Sequence, residues 1–444
     1  MDKKLKNVLP LLFLFVILLT YILLFFAKVS VAYKEETKTT FGQFIIPENL
    51  YIDRVYIPAV SGDYGVITTF NINIFPGNGK VFISLPPFFD KESAVSFVLA
   101  KEAVCKLFEE CNNYTYLFYT DDVVYGEGFS GTAGFSLLIL SFFEKIKNNL
   151  SRIHNYPITG FILPNGVIAP VSGIPKKLNA TLQKSEYLVA PANNEHIIPA
   201  YTILDLLKIY FNKTFTENLT VPEGYKHIIH NITINICKNI DNYIVTGLLS
   251  KNRYYSAASY CFREHLKKNA TILNDSEVNR LIKELENKLK SVNCKTYECL
   301  EIKYQVMERL NTAKNLTGAA KYWRYYTAEG WFKFMNLAQN INRRDTCKSV
   351  LEEYKVVKYI YNNLPETNNC FEAREYLAKV YSSLITYRDE KALYSIINLT
   401  KFFMQKNGFS ISAYNYLQYA EDLYKLGDED SAFYYAILAL QYAV

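Results

Sequence analysis

The apolar positions of this chain repeat with two different periods. Between residues 51 and 215 they alternate with polar positions along short segments rich in Val, Ile, Thr and aromatic residues, which is typical of strands. Glycine-containing turns separate the segments and two helical stretches interrupt them, so we predict one α+β domain over 51–215. Strands are predicted at 54–59, 65–75, 80–85, 114–120, 158–162, 167–169 and 187–190, helices at 93–108 and 132–147, and the first three strands are expected to form a β-meander.

From residue 221 onward only the helical period is present. Long stretches such as 319–339 and 350–363 carry apolar residues at i, i+3 and i+4, with unusually many tyrosines. The stretch 420–439 resembles the helix-turn-helix pattern of tetratricopeptide repeats, with Gly427 at the turn. We therefore predict an all-α domain over 221–444. It is built either from helical repeats, whose concave surfaces suit a protein partner, or as an ordinary helical bundle.

The N-terminal segment has the pattern of a membrane anchor. Three lysines precede an uncharged apolar run over 8–27, which is long enough to cross about 30 Å of hydrocarbon as a helix. Positive charge keeps the short side in the cytoplasm and sends the rest of the chain outside. We favour an uncleaved single-pass anchor over 1–32, followed by a polar juxtamembrane linker over 33–50. The alternative is a cleaved signal peptide, which exports the same residues.

The composition agrees with export and limits the kinds of partner that the protein is expected to bind. The 444 residues are 50% hydrophobic with a net charge of +6 and no basic block, which excludes a largely disordered chain and argues against nucleic-acid binding. Eight cysteines lie as close neighbours along the sequence, so we expect four local disulfides, and ten Asn-x-Ser/Thr sequons are compatible with a glycoprotein. The absence of CxxC and HExxH motifs leads us to predict no metal site, and we expect no cofactor.

The candidate chemistry begins at a glycine-dense turn between a predicted strand and a predicted helix. This turn places two hydroxyls, Ser130 and Thr132, near the helix N-terminus. Unpaired backbone N–H groups at such a position suit a developing oxyanion, which makes Gly128, Gly131 and Gly134 candidates to shape the turn. A Ser or Thr here is more often a simple N-cap, and the turn is not the GxSxG elbow of the α/β-hydrolases.

A second motif follows the turn. Thr159-Gly160 and the run Pro170-Val171-Ser172-Gly173-Ile174-Pro175-Lys176-Lys177 resemble the proteolytic domain of Lon proteases, in particular the archaeal membrane-anchored Lon-like proteases without an ATPase. The resemblance covers about 51–207. It implies a Ser-Lys dyad in which Lys177 is the base and Thr159 its companion. Ser172 departs from the pattern, which usually has a glycine there.

The resemblance leaves the nucleophile open between two hydroxyls. An ungapped match of Thr132-Ala133-Gly134 to the Ser-Ala-Gly of the family places Thr132 at the nucleophile, whereas Gly128-Phe129-Ser130 fits only if two residues are inserted. Either hydroxyl needs a base, and a lysine can serve only if burial lowers its pKa from about 10.4. The apolar neighbours of Lys177 along its predicted helix would supply that burial.

Two functions follow from these observations. The resemblance implies an outward-facing, membrane-anchored, serine-type endopeptidase that acts on flexible or unfolded polypeptides, and it is compatible with a homo-oligomer. Such an enzyme would be ATP-independent, because the chain has no Gly-x4-Gly-Lys-Ser/Thr motif. The alternative is a catalytically degenerate fold that acts as an extracytoplasmic scaffold and binds a partner through its helical domain. The burial of Lys177 and its distance from the two hydroxyls discriminate between them.

Overall fold

The structure is a computed structural model, and it describes residues 50–85, 90–122, 128–215, 219–269 and 272–444. Within it, Tyr51–Val444 form one compact unit. The predicted anchor over 1–32 and the linker over 33–50, apart from its last residue, lie outside the described residues. None of the helices in the described ranges is long and apolar enough to cross a membrane.

Four strands form the main sheet in the order β1-β2-β4-β3: β1 (Tyr51–Ser61), β2 (Tyr64–Pro76), β3 (Val81–Ser84) and β4 (Tyr114–Tyr119). The first two form an antiparallel hairpin, β4 pairs antiparallel with β2, and β3 pairs parallel with β4. The predicted meander is therefore wrong at its third strand. Phe82 and Ile83 of β3 are exposed, whereas Tyr116 and Phe118 of β4 are fully buried, so β4 takes the inner position and β3 the edge.

The parallel pairing of β3 and β4 requires a crossover, which α1 (Lys91–Cys105) supplies. The second helix, α2 (Thr132–Asn148), is apolar on nearly all sides and lies in the core. The ring of Phe135 on α2 stacks on Phe97 of α1 with centroids 4.0 Å apart. Two short strand pairs and two helices complete this mixed region: β5 (Phe161–Ile162), β6 (Ile168–Ala169), α3 (Ile174–Leu182), β7 (Leu188–Ala190), β8 (Ile197–Pro199) and α4 (Ile203–Phe211).

All described elements after α4 are helices, so the fold is a mixed α/β region followed by an all-helical part. The turn between the last two helices follows the sequence prediction, since Gly427 adopts φ +82° and the Asp428 N–H donates to the Leu423 carbonyl at 3.0 Å. The helices are α5 (Tyr225–Ile236), α6 (Tyr243–Ser250), α7 (Tyr254–Lys267), α8 (Asp275–Ser291), α9 (Tyr297–Lys314), α10 (Gly318–Phe332), α11 (Met335–Ala338), α12 (Cys347–Ile360), α13 (Cys370–Leu384), α14 (Glu390–Asn407), α15 (Ile411–Lys425) and α16 (Glu429–Ala443).

The stretch 319–339, which carries the helical spacing throughout, forms two helices, α10 and α11. Phe334 lies between them and is 2% exposed. Its ring stacks on Tyr225 of α5 with centroids 5.7 Å apart. The longer helix, α10, therefore ends close to the point where the Phe334 ring packs into the core.

Two hydrophobic cores organise the chain, and one of them crosses the boundary between the mixed and helical regions. The first joins the sheet, α1, α2 and α4 to helices α12 to α16, and the second lies among α5 to α11. Polar contacts also join the mixed region to the helical part. Lys106 forms a buried ion pair with Glu353 at 3.0 Å, and the Tyr387 hydroxyl donates to the Ile168 carbonyl at 2.9 Å. The residues predicted as 51–215 and 221–444 therefore share a core.

All eight cysteines are paired between sequence neighbours, as predicted. The Cα atoms of the pairs are 5.1 to 5.4 Å apart. Each bond closes a loop within the α1 segment or within the helical part, so it constrains local structure and joins no distant segments. The pairs are Cys105–Cys111, Cys237–Cys261, Cys294–Cys299 and Cys347–Cys370.

A buried ionic cluster holds α9 against the last helices. The guanidinium of Arg343 is 3.0 Å from the Glu298 carboxylate and 2.6 Å from that of Glu301, and it also donates to the Tyr442 carbonyl. Burial and the neighbouring Glu301 raise the pKa of Glu298 to about 8. The second oxygen of Glu298 accepts the Ile411 N–H at 2.7 Å, so the cluster also caps α15.

We predict that Arg343→Met lowers the free energy of unfolding by about 3 kcal/mol, because it leaves buried Glu301 without its cation and buried Glu298 without one of its hydrogen-bond donors. Arg344→Met is the matched control, since Arg344 lies on the surface and pairs with exposed Glu109. It should cost no more than about 1 kcal/mol. Urea unfolding of the two variants checks this, and equal losses would contradict a structural role for the cluster.

Candidate active site

The turn before α2 is anchored to the start of α1. Asp90 caps α1 by accepting the Ser93 N–H at 2.7 Å, and its other oxygen accepts the Gly128 N–H at 3.4 Å. The ring of Phe129 stacks on Phe161 of β5 with centroids 4.6 Å apart. These contacts fix the backbone immediately before Ser130, whose side chain is half-buried.

The three glycines of the turn have different positions. Gly128 lies in the loop held by Asp90, and Gly131 is the N-cap of α2. Gly134 lies in the first turn of α2 against the sheet, where a Cβ would stand 2.7 Å from Cδ1 of Ile57. Gly134 therefore permits close packing of α2 on β1, while Gly128 and Gly131 shape the turn itself.

The backbone N–H groups of this turn differ in whether they have an acceptor among the described residues. The Thr132 N–H donates to the Phe129 carbonyl and the Ala133 N–H to the Gly160 carbonyl, each at 3.1 Å. The N–H groups of Ser130 and Gly131 donate to no acceptor among the described residues. They lie beside the N-terminus of α2, so a developing oxyanion there would meet two donors and the positive end of a helix dipole.

Lys177 lies on the buried side of α3. Gly173 begins this helix with φ +73°, a conformation that favours glycine, and Pro175 occupies its first turn. The Lys177 side chain is 3% exposed, and no carboxylate within the described ranges forms an ion pair with it. Burial lowers its pKa from 10.5 to about 8. The preceding Lys176 is directed outward, where its amine is 3.3 Å from the Asp63 carboxylate.

A hydrogen-bonded path joins Lys177 to Ser130. The Lys177 amine donates to the Thr159 hydroxyl at 3.2 Å, and that hydroxyl donates to the Ser130 carbonyl at 3.1 Å. The Gly160 N–H donates to the same carbonyl at 3.0 Å. The backbone of Ser130 is thus tied to the β5 segment that carries Thr159.

Thr132 takes no part in this path. Its side chain is fully buried, and its hydroxyl donates to the Phe129 carbonyl. That hydroxyl is committed to holding the turn, whereas the Ser130 hydroxyl has no hydrogen-bond partner among the described residues. The structure therefore brings together Lys177, Thr159 and Ser130, and it gives Thr132 the local role of a turn-stabilising residue.

Two contributors to this site were missed by sequence analysis. Asp90 before a helical stretch is a recognisable N-cap residue, although its second bond to Gly128 depends on tertiary structure. The stacked pair Phe129 and Phe161 has no local signature, since the two rings belong to separate segments. Both features position the turn rather than provide reactive groups.

The described residues contain no group of His, Cys, Asp or Glu side chains that could hold a metal ion. No protein-family model matches this chain, and no curated protein is significantly similar to it. The geometry of the site links the buried Lys177 amine through the Thr159 hydroxyl to the backbone of the turn that carries Ser130.

We predict that Lys177→Met stabilises the protein by about 2 kcal/mol at pH 7. A pKa of about 8 in the folded state against 10.5 when unfolded costs about 3 kcal/mol below pH 8, and the lost hydrogen bond to Thr159 offsets about 1 kcal/mol of the gain. The unfolded state binds more protons between pH 8 and 10.5, so wild-type stability should rise through this window and the advantage of the variant should shrink.

Denaturant unfolding at pH 7, 8, 9 and 10 measures this difference. Lys176→Met is the matched control for loss of a lysine from α3, because its amine is partly exposed. A Lys177→Met variant whose effect does not change between pH 7 and 10 would show that the Lys177 amine is solvated.

Proposed function

We propose that this protein is an endopeptidase of the Lon type in which Ser130 is the nucleophile and Lys177 the general base. The observation that carries the proposal is the burial of the Lys177 amine, without an ion-pair partner within the described ranges, beside the Thr159 hydroxyl that binds the Ser130 backbone. A buried lysine of lowered pKa at a hydroxyl-bearing turn is the arrangement that Ser-Lys catalysis needs.

The first step is activation of the hydroxyl. The neutral Lys177 amine accepts the Ser130 proton as the hydroxyl oxygen attacks the peptide carbonyl. Thr159 accepts one N–H of that amine and so orients its lone pair away from the Thr159 side chain. The carbonyl oxygen becomes an anion, which the N–H groups of Ser130 and Gly131 stabilise.

The second step breaks the peptide bond. The Lys177 ammonium returns its proton to the departing amine, which leaves an acyl-enzyme ester on Ser130. Water then attacks this ester with Lys177 again acting as the base, and the products are a free amine and a free carboxylate. In each half of the cycle Lys177 accepts one proton and then donates it again, so the reaction needs no metal, nucleotide or redox partner.

The proposed setting is the outer face of a membrane. The four disulfides support an oxidising compartment, and the apolar run over 8–27 supports an anchor that exports the rest of the chain. Without a nucleotide-binding motif the enzyme would act on flexible or already unfolded polypeptides. The helical part is the proposed docking region for a protein partner, and a homo-oligomer is compatible with this arrangement.

The test is hydrolysis of a fluorescently labelled, permanently unfolded protein by the full chain, without ATP. We expect Ser130→Ala and Lys177→Met each to lower activity at least about 1,000-fold, because each removes one half of the catalytic unit. Thr132→Val keeps the shape of Thr132 but removes its hydroxyl, and activity should stay within about 10-fold of wild type. Lys176→Met is the control for loss of a positive charge on α3.

If Thr132→Val is as inactive as Lys177→Met while Ser130→Ala stays active, Thr132 is the nucleophile instead of Ser130. A folded wild type that is as silent as Lys177→Met would favour the alternative function, a catalytically degenerate scaffold. Circular dichroism of each variant separates loss of chemistry from loss of fold.

A further inference from the structure

A cavity of about 350 Å³ lies within the helical part, between α5, α7, α9, α10, α13, α15 and α16. None of Ser130, Thr159 and Lys177 lines it, so it is distinct from the candidate active site. Its volume is in the range of pockets that take small molecules, and its wall mixes aromatic rings with charged groups. The charged groups define what it can bind.

Positive charge exceeds negative charge on the inner wall. Arg309 is 7% exposed, and its guanidinium lies over the Trp331 ring at 4.7 Å. Arg324 bonds both oxygens of Glu308 at 2.9 Å, whereas Arg309 approaches that carboxylate only to 3.7 Å. Two guanidinium groups therefore share one carboxylate.

The second carboxylate on the wall, that of Glu375, does not neutralise this excess of positive charge. Glu375 accepts the Tyr442 hydroxyl at 3.3 Å and forms no ion pair among the described residues. Burial and the nearby charge of Glu308 raise the pKa of Glu375, which disfavours its charged form. Two further cations, Arg263 and Lys379, also line the cavity. An anion entering it would find uncompensated positive charge.

Two residues of the wall each carry a buried hydrogen-bond donor that lacks an acceptor among the described residues. The Asn415 side chain is fully buried, and its oxygen accepts the Tyr225 hydroxyl, so its amide nitrogen is the free end. The Nε of Arg324 is likewise buried and without a described acceptor. Unpaired buried donors are costly, and a ligand that carries an acceptor would remove this cost.

The rest of the wall is apolar and aromatic. Tyr255 packs edge to face against Trp331 and Tyr416, with ring centroids 6.2 and 5.8 Å apart, and Ile232 and Leu438 also line the cavity. These rings offer flat surfaces to an apolar body beside the guanidinium of Arg309. A phosphate or another strongly hydrated inorganic anion would leave this surface unused.

We propose that this cavity binds a carboxylate carried on an aromatic or branched apolar body. The carboxylate would accept from Asn415 and from the guanidinium groups of Arg309 and Arg324, while the body packs against Trp331 and Tyr255. The same chemistry is presented by a free organic acid and by the last residue of a peptide with an apolar side chain. The experiment separates these two sources.

The probe is 4-phenylbutyrate, titrated into the full chain in lipid nanodiscs. The protein has two tryptophans, so a Trp323→Phe background leaves Trp331 on the cavity wall as the only fluorescent tryptophan. We expect saturable quenching of Trp331. The uncharged analogue 4-phenylbutanamide should bind about 30-fold more weakly, because it lacks a charge-assisted hydrogen bond worth about 2 kcal/mol.

Two variants test the donors without removing Arg309, whose burial makes it a risk to folding. Arg324→Gln should weaken the binding of 4-phenylbutyrate at least about 10-fold. Asn415→Asp should abolish this binding, because it places an anion where the carboxylate of the ligand would lie. Arg280→Gln is the matched control, since that exposed arginine pairs with Glu284 outside the cavity. Equal affinity for the acid and the amide, or binding unaffected by Arg324→Gln in a folded protein, would overturn the proposal.

Three further ligands identify the source. If N-acetylphenylalanine binds as tightly as a hexapeptide with a free C-terminal phenylalanine, the ligand is a free organic acid. If the hexapeptide binds at least about 10-fold more tightly, the ligand is the C-terminal end of a peptide. The same hexapeptide with an amidated end should not bind, and tight binding of this form would contradict carboxylate recognition. Ser130→Ala should leave all these affinities unchanged, so the cavity is tested independently of proteolysis.

Discussion

The burial of a single amine, Lys177, without a counter-ion among the described residues is the constraint on which the candidate site depends. Burial makes the protonated form costly, so the fold raises the fraction of Lys177 that is neutral and can accept a proton. Close packing produces this burial. Gly65 lets β2 approach α3 so closely that a Cβ there would stand 2.0 Å from the Lys176 carbonyl oxygen. The hairpin thus packs on one side of the helix, and of its two lysines Lys176 is the one directed outward, to Asp63.

The helical part is structurally continuous with this site. The turn between β5 and β6 packs against Leu399 of α14, and a Cβ on Gly166 would stand 3.4 Å from that side chain. The Tyr387 hydroxyl binds the Ile168 carbonyl at the start of β6. Strands β5 and β6 connect Thr159 to the helix that carries Lys177, so the C-terminal helices support the geometry of the proposed dyad.

The sequence predicted what local pattern determines and missed what tertiary contacts determine. The helix beginning at Thr132, the α15–α16 turn at Gly427 and the four disulfides follow from spacing alone. The sheet order did not, because pairing of β4 with β2 depends on which strand buries its rings. The choice between Ser130 and Thr132 also stayed open, since it rests on the hydrogen bond of Thr132 to the Phe129 carbonyl. The cavity had no signature at all, because its wall is assembled from seven helices.

The pKa of the Lys177 amine is the most direct test of this account. A protein labelled with ¹³C at the lysine ε-carbons, with the Lys177 signal assigned by its loss in Lys177→Met, can be titrated by NMR. We predict a midpoint near 8 for this signal, well below the ordinary value of about 10.4 for a lysine amine. A midpoint for Lys177 near 10.5 would contradict the proposal, because the neutral amine that acts as the base for Ser130 would then be about 300-fold rarer at pH 7.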